Sequence, residues 1–107
     1  MKENRTNPRY KIKLKVTIRG INKNFEAKTT NLSKNGLFLE TTQKFPVNSF
    51  VEMIIESHNL NKKIEVLGKI IHKKPKIGVG IEFIDYFDDS KELIKNLIDL
   101  NKHEECL

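Results

Sequence analysis

From Tyr10 onward, apolar and polar residues alternate. Tyr10, Ile12, Leu14, Val16 and Ile18 share one parity, and Lys11, Lys13, Lys15, Thr17 and Arg19 share the other. A period of two sustained this long predicts a half-buried β-strand. Gly20 and Asn22-Lys23-Asn24 supply a turn. Phe25, Ala27 and Thr29, set against Glu26, Lys28 and Thr30, predict a second strand. Asn31-Leu32-Ser33-Lys34-Asn35-Gly36 follows as a connection dense in turn formers, where Asn and Ser bond local backbone and Gly36 is free to take a positive φ. Residues 37–40 and 50–55 predict a third and fourth strand, separated by a loop at Pro46, and His58-Asn59-Leu60-Asn61 a hairpin-like connection. Residues 64–72 predict a fifth strand, stopped by Lys74-Pro75. Ile77, Val79, Ile81 and Phe83 alternate with Gly78, Gly80 and Glu82 as a sixth. The period then changes: Leu93, Ile94, Leu97 and Ile98 fall on one face of a helix. Asp89 is placed to cap that helix, with Glu92 completing a capping-box-like pair, and fraying is expected beyond Asn101.

Short strands followed by one helix predict a mainly β fold: a small six-stranded antiparallel β-barrel with a C-terminal α-helix packed on it. Residues 1–9 show no periodicity and carry Pro8, so they read as a flexible basic arm. The barrel and helix then occupy residues 10–101, with a tail at 102–107.

Composition narrows the function classes. The chain has 107 residues, enough for one domain. No run approaches a membrane span, and the N-terminus has no apolar stretch behind it, so neither membrane insertion nor a signal peptide is expected. A single cysteine, Cys106, excludes an intramolecular disulfide framework and points to a cytoplasmic setting. His58, His72 and His103 lack ligand spacing and read as surface residues, so no metal site is expected. Asp85, Asp88 and Asp89 read as complements to the positive end of the helix. No nucleophile–base pair stands out, so the expectation is a protein without catalytic residues or cofactor.

Charge is unevenly spread. The net charge is +6, but residues 1–34 hold ten basic and two acidic side chains (net +8), and the remainder hold ten basic and twelve acidic (net −2). Of the 20 basic residues only Arg5, Arg9 and Arg19 are arginine. In a chain that otherwise uses lysine, arginine marks positions needing a planar, bidentate fork that grips phosphate or the edge of guanine, or a face that stacks on a purine. Arg5 and Arg9 form R-x-x-x-R on the arm. Asn31-x-Ser33-x-x-Gly36 then offers an amide, a hydroxyl and a glycine that a ligand can approach closely.

These two motifs, in this order and spacing, resemble the signature of the PilZ domain family, bacterial receptors for cyclic di-GMP. The stretch Gly78-Val79-Gly80-Ile81-Glu82-Phe83 before a C-terminal helix is similar to the family's ending. The resemblance runs from Arg5 to about Leu100. It implies a split-barrel-type fold and cyclic di-GMP as ligand. Arg5 and Arg9 would grip phosphates and guanines, Asn31 and Ser33 would hydrogen-bond the ligand, and Gly36 would keep the turn and admit close approach. Asn31 stands where many members have Asp. Asn35 stands where many have a second glycine, a place a left-handed Asn can fill. Family members bind one ligand or an intercalated pair, and stand-alone members act as adaptors on a protein partner in motility, exopolysaccharide or virulence systems.

Two other readings compete. A small basic barrel can bind single-stranded nucleic acid, and the lysine stripe on the first strand permits it. Aromatic residues at 7% and the absence of Trp leave no evident stacking platform, which disfavours it. The third reading, an interaction module that has lost its ligand, conflicts with the intact Arg5, Arg9, Ser33 and Gly36.

Overall fold

A computed structural model describes residues 10–19, 24–57 and 60–105. The expected arm, with Arg5 and Arg9, lies outside them, as do the turn at residues 20–23, His58, Asn59 and Cys106. The described chain forms β1 (Tyr10–Arg19), β2 (Asn24–Ser33), β3 (Gly36–Glu40), β4 (Phe50–Glu56), β5 (Ile64–Lys74), β6 (Gly78–Tyr86) and α1 (Ser90–Glu105). The strands close into an antiparallel barrel in the order β1-β2-β3-β6-β5-β4, with β4 returning to β1. The predicted fold class is the observed one. Closure leaves no strand of the barrel with a bare edge.

β1 alternates as its sequence dictates. Ile12, Leu14, Val16 and Ile18 are buried, and the lysines between them face outward. Inside the barrel they meet Leu32, Leu39, Met53, Ile55, Ile64, Val66, Ile70 and Ile81. α1 packs against β1 and β5 and adds Leu93, Ile94, Leu97 and Ile98 to the same core. Its start is fixed twice. The backbone carbonyl of Asp89 accepts the Leu93 N–H (3.0 Å), and the buried Ser90 Oγ accepts the Glu65 N–H of β5 (2.8 Å). The Asp89 carboxylate itself turns to Lys62 Nζ at 3.1 Å, a hydrogen bond that holds it below the usual carboxylate range.

Several boundaries differ from the sequence pattern: β3 starts one residue earlier, and β4, β5 and β6 run on to Glu56, Lys74 and Tyr86. Asn31, Leu32 and Ser33 belong to β2 rather than to a connection, because Leu32 pairs with Tyr10 and Leu37, and Asn31 with Lys11 and Phe38. The cause is a bulge. Pairing of β2 shifts register on both sides of Thr30, so residues 25, 27 and 29 turn inward before it and Leu32 after it. An extra residue reverses which parity faces the core, and a period-two pattern ends there although the strand does not. β6 begins at Gly78, leaving Ile77 exposed. α1 runs past Asn101 to Glu105.

Candidate functional site

The motif Asn31-x-Ser33-x-x-Gly36 is the end of β2, a two-residue turn and the start of β3. Ser33 pairs with Gly36 across it. The Ser33 hydroxyl donates to the Gly36 carbonyl (3.2 Å) and accepts the Asn35 N–H (3.3 Å), and the residue is buried. The Asn35 carbonyl in turn accepts the Phe83 N–H of β6 at 2.8 Å, which fastens the turn to the next strand. Neither Gly36 nor Asn35 has a positive φ, so the left-handed roles expected for both are not used. Gly36 is needed for another reason. A Cβ there would collide with the Ile81 backbone carbonyl of β6. The glycine permits close strand approach.

Asn31 Oδ1 accepts the Phe38 N–H at 3.2 Å, bridging β2 and β3 beside the bulge. An amide carries two further donors on its nitrogen, and those are what Asn31 can present to a ligand. Thr29 completes the local network. Its buried hydroxyl lies against the carbonyls of Phe38 and Asn31 and accepts the Asn31 N–H at 3.4 Å. Sequence reasoning set Thr29 on the same parity as Phe25 and Ala27 but missed this role, since no pattern marks a hydroxyl that satisfies a bulge. The structure thus brings Asn31, Ser33 and Gly36 together on one hairpin.

The strand registers extend this site across the outer face. Lys11, Asn31, Phe38, Gly80 and His72 are successive partners on β1, β2, β3, β6 and β5. Lys15, Lys28, Glu40, Gly78 and Lys74 form a second such row. The basic stripe of β1 is not uniformly bare. Lys15 lies 3.8 Å from Glu26 and 4.0 Å from Glu56, and Arg19 lies 3.5 Å from Glu52 and 3.7 Å from Glu65. The third arginine therefore ties β1 to β4 and β5. Among the described residues these ion pairs of the stripe fall at Lys15 and Arg19, toward the end of β1 remote from Tyr10.

A closed six-stranded barrel with a C-terminal helix, carrying an N-x-S-x-x-G hairpin beside a basic first strand, defines a class of small β-barrel domain. The chain belongs to the PilZ domain family, whose model matches residues 3–100. No curated protein sequence matches it. Among solved structures it is similar to the Bacillus subtilis inhibitor of motility MotI/DgrA, with TM-score 0.71 and 17% identity over 94% of this chain and 53% of that one. It is also similar to MrkH, a c-di-GMP-dependent transcription regulatory factor, with TM-score 0.71 and 16% identity over 91% of this chain and 51% of that one. The chain spans about half the length of each of these two structures. No helix among the described residues is long and apolar enough to cross a membrane.

Proposed function

We propose that the protein is a non-catalytic receptor for cyclic di-GMP. Arg5 and Arg9 bind the ligand's phosphates and guanines, and Asn31 donates to it from the barrel. Ser33 and Gly36 hold the hairpin on which the ligand rests. The observation that carries this reading is the place of the hairpin. Leu32 pairs with Tyr10, the residue joined to Arg9, so the Asn31–Gly36 motif stands beside the point where the arginine-bearing segment enters the barrel. Tyr10 thus adjoins both motifs, the first through its peptide bond to Arg9 and the second through its pairing with Leu32. Membership of the PilZ family and likeness to a c-di-GMP-dependent factor support the same ligand.

In this account the arm orders over the barrel when the ligand binds, and the altered surface is read by a protein partner. The nucleic-acid alternative is weakened by the carboxylates along the stripe. A track for phosphates needs unpaired cations at regular steps, whereas Lys15 and Arg19 face Glu26, Glu56, Glu52 and Glu65.

Calorimetric titration of Arg9→Ala and Arg9→Lys tests the reading. Both variants should lose at least tenfold in affinity for cyclic di-GMP, because lysine keeps the charge and loses the fork, while the melting temperature stays at the wild-type value. Wild-type affinity in both variants would overturn the assignment.

A further inference from the structure

At the other end of β3 from the N-x-S-x-x-G hairpin, Glu40 stands opposite Gly78, and the β5–β6 turn projects beside it. The Ile77 N–H donates to the Lys74 carbonyl at 3.0 Å and closes that turn. The loop of residues 41–49 is fastened to both arms of the hairpin. The Thr41 N–H donates to the Ile77 carbonyl (3.1 Å), and the Asn48 N–H donates to the Ile70 carbonyl (2.7 Å). Turn and loop therefore make one surface.

That surface is both basic and apolar. Every residue from Ile71 to Ile77 is exposed. Residues 41–50 and 69–81 hold five lysines (Lys44, Lys69, Lys73, Lys74 and Lys76) and no Asp or Glu. Among the described residues none of the five makes an ion pair. Glu26 and Glu40 line the groove beside Ile77 and bound the surface on the side of β2 and β3. Among the described residues, four of the seven exposed large hydrophobics lie on it: Val47, Phe50, Ile71 and Ile77. Lys76 holds a φ of 68°, a conformation that glycine takes at less cost, so a charge stands where the turn alone asks for glycine.

We infer that this end of the barrel docks on an anionic lipid bilayer, with its lysines on headgroup phosphates and Ile77 at the acyl boundary. Charge complementarity selects the occupant. An ammonium is a point charge that suits a fluid array of phosphates, whereas a guanidinium fork reads a fixed geometry, and all three arginines lie elsewhere in the chain. Interfaces between folded proteins are depleted in lysine and anchored by Trp, Tyr and Arg, none of which stands in these two segments. On a nucleic-acid backbone the exposed valine and isoleucines would stay in water, and in a bilayer they leave it. The docked surface leaves the N-x-S-x-x-G hairpin uncovered, so the inference stands apart from the receptor reading.

The experiment is co-sedimentation of the full chain with vesicles of phosphatidylcholine and, separately, of phosphatidylglycerol. The wild type is compared with the triple variant Lys73→Gln, Lys74→Gln, Lys76→Gln and with Ile77→Ser. A control triple, Lys62→Gln, Lys63→Gln, Lys95→Gln, removes the same charge elsewhere. The wild type should bind phosphatidylglycerol and not phosphatidylcholine, and added salt should release it. At about fivefold per lysine, the first triple should bind about a hundredfold more weakly. Ile77→Ser should lose about tenfold, and the control triple should stay within about threefold of wild type. All these side chains are exposed, so melting temperatures should match wild type. Equal binding to the two lipids, equal losses in the two triples, or wild-type binding in Ile77→Ser would overturn the inference. So would a wild type that ignores both vesicles, including one that shifts duplex DNA in the same buffer.

Discussion

Ser33 and Gly36 belong to the hairpin as much as to any ligand. The serine hydroxyl satisfies two backbone groups of the turn, and the glycine lets β3 approach the Ile81 carbonyl. Gly36→Ala should therefore destabilise the barrel by about 1–3 kcal/mol or more, since the obstacle is backbone and cannot swing aside. Ser33→Ala should cost about 1–3 kcal/mol by leaving the Asn35 N–H and the Gly36 carbonyl without their partner. Urea denaturation checks both, and a midpoint equal to wild type in either would contradict the contacts described. Loss of ligand binding in these two variants thus carries a contribution from stability, whereas Arg9→Ala separates recognition from folding.

Within the elements, the bulge at Thr30 sets the geometry of the site. It lets β2 keep Phe25, Ala27 and Thr29 on the inside and still turn Leu32 inward, and it places Asn31 where its amide reaches the Phe38 N–H. Thr29→Val keeps the shape of the side chain and removes the hydroxyl from the carbonyls of Phe38 and Asn31. We expect a loss of about 1–3 kcal/mol, read as a lower urea midpoint with an unchanged denaturant slope. The same bulge shows what the sequence could and could not reveal. β1 was legible residue for residue, because nothing interrupts its alternation. The end of β2 was not, because Asn31 and Ser33 are turn formers whose local preference is overridden by strand pairing, Asn31 with β1 and β3 and Ser33 with β3. The place of His72 opposite Gly80 was hidden for a related reason. It depends on a register shift in β5, which no periodicity in one strand predicts. Phe38 was closer to legible, since its outward parity follows from Leu37 and Leu39 pointing inward. The helix was found from its apolar face, while its start depends on Ser90 bonding β5, a contact remote in sequence.

At the scale of the whole molecule, closure of the sheet turns a chain with many lysines into a barrel with differentiated faces. One end of β1 is laced with carboxylates through Lys15 and Arg19. The other end adjoins the N-x-S-x-x-G hairpin and the entry of the arginine segment. On the proposed function, the excess of positive charge in residues 1–34 is a field that draws in a compact dianion, and recognition rests on a few groups of defined geometry. The central claim is the ligand, and one titration tests it: calorimetry of the wild-type chain with cyclic di-GMP and, separately, with cyclic di-AMP. The account predicts saturable binding of cyclic di-GMP at a fixed stoichiometry, and binding of cyclic di-AMP at least tenfold weaker, because donors and forks aimed at guanine are left unpaired by adenine. No heat with cyclic di-GMP, or equal affinity for the two dinucleotides, would contradict it.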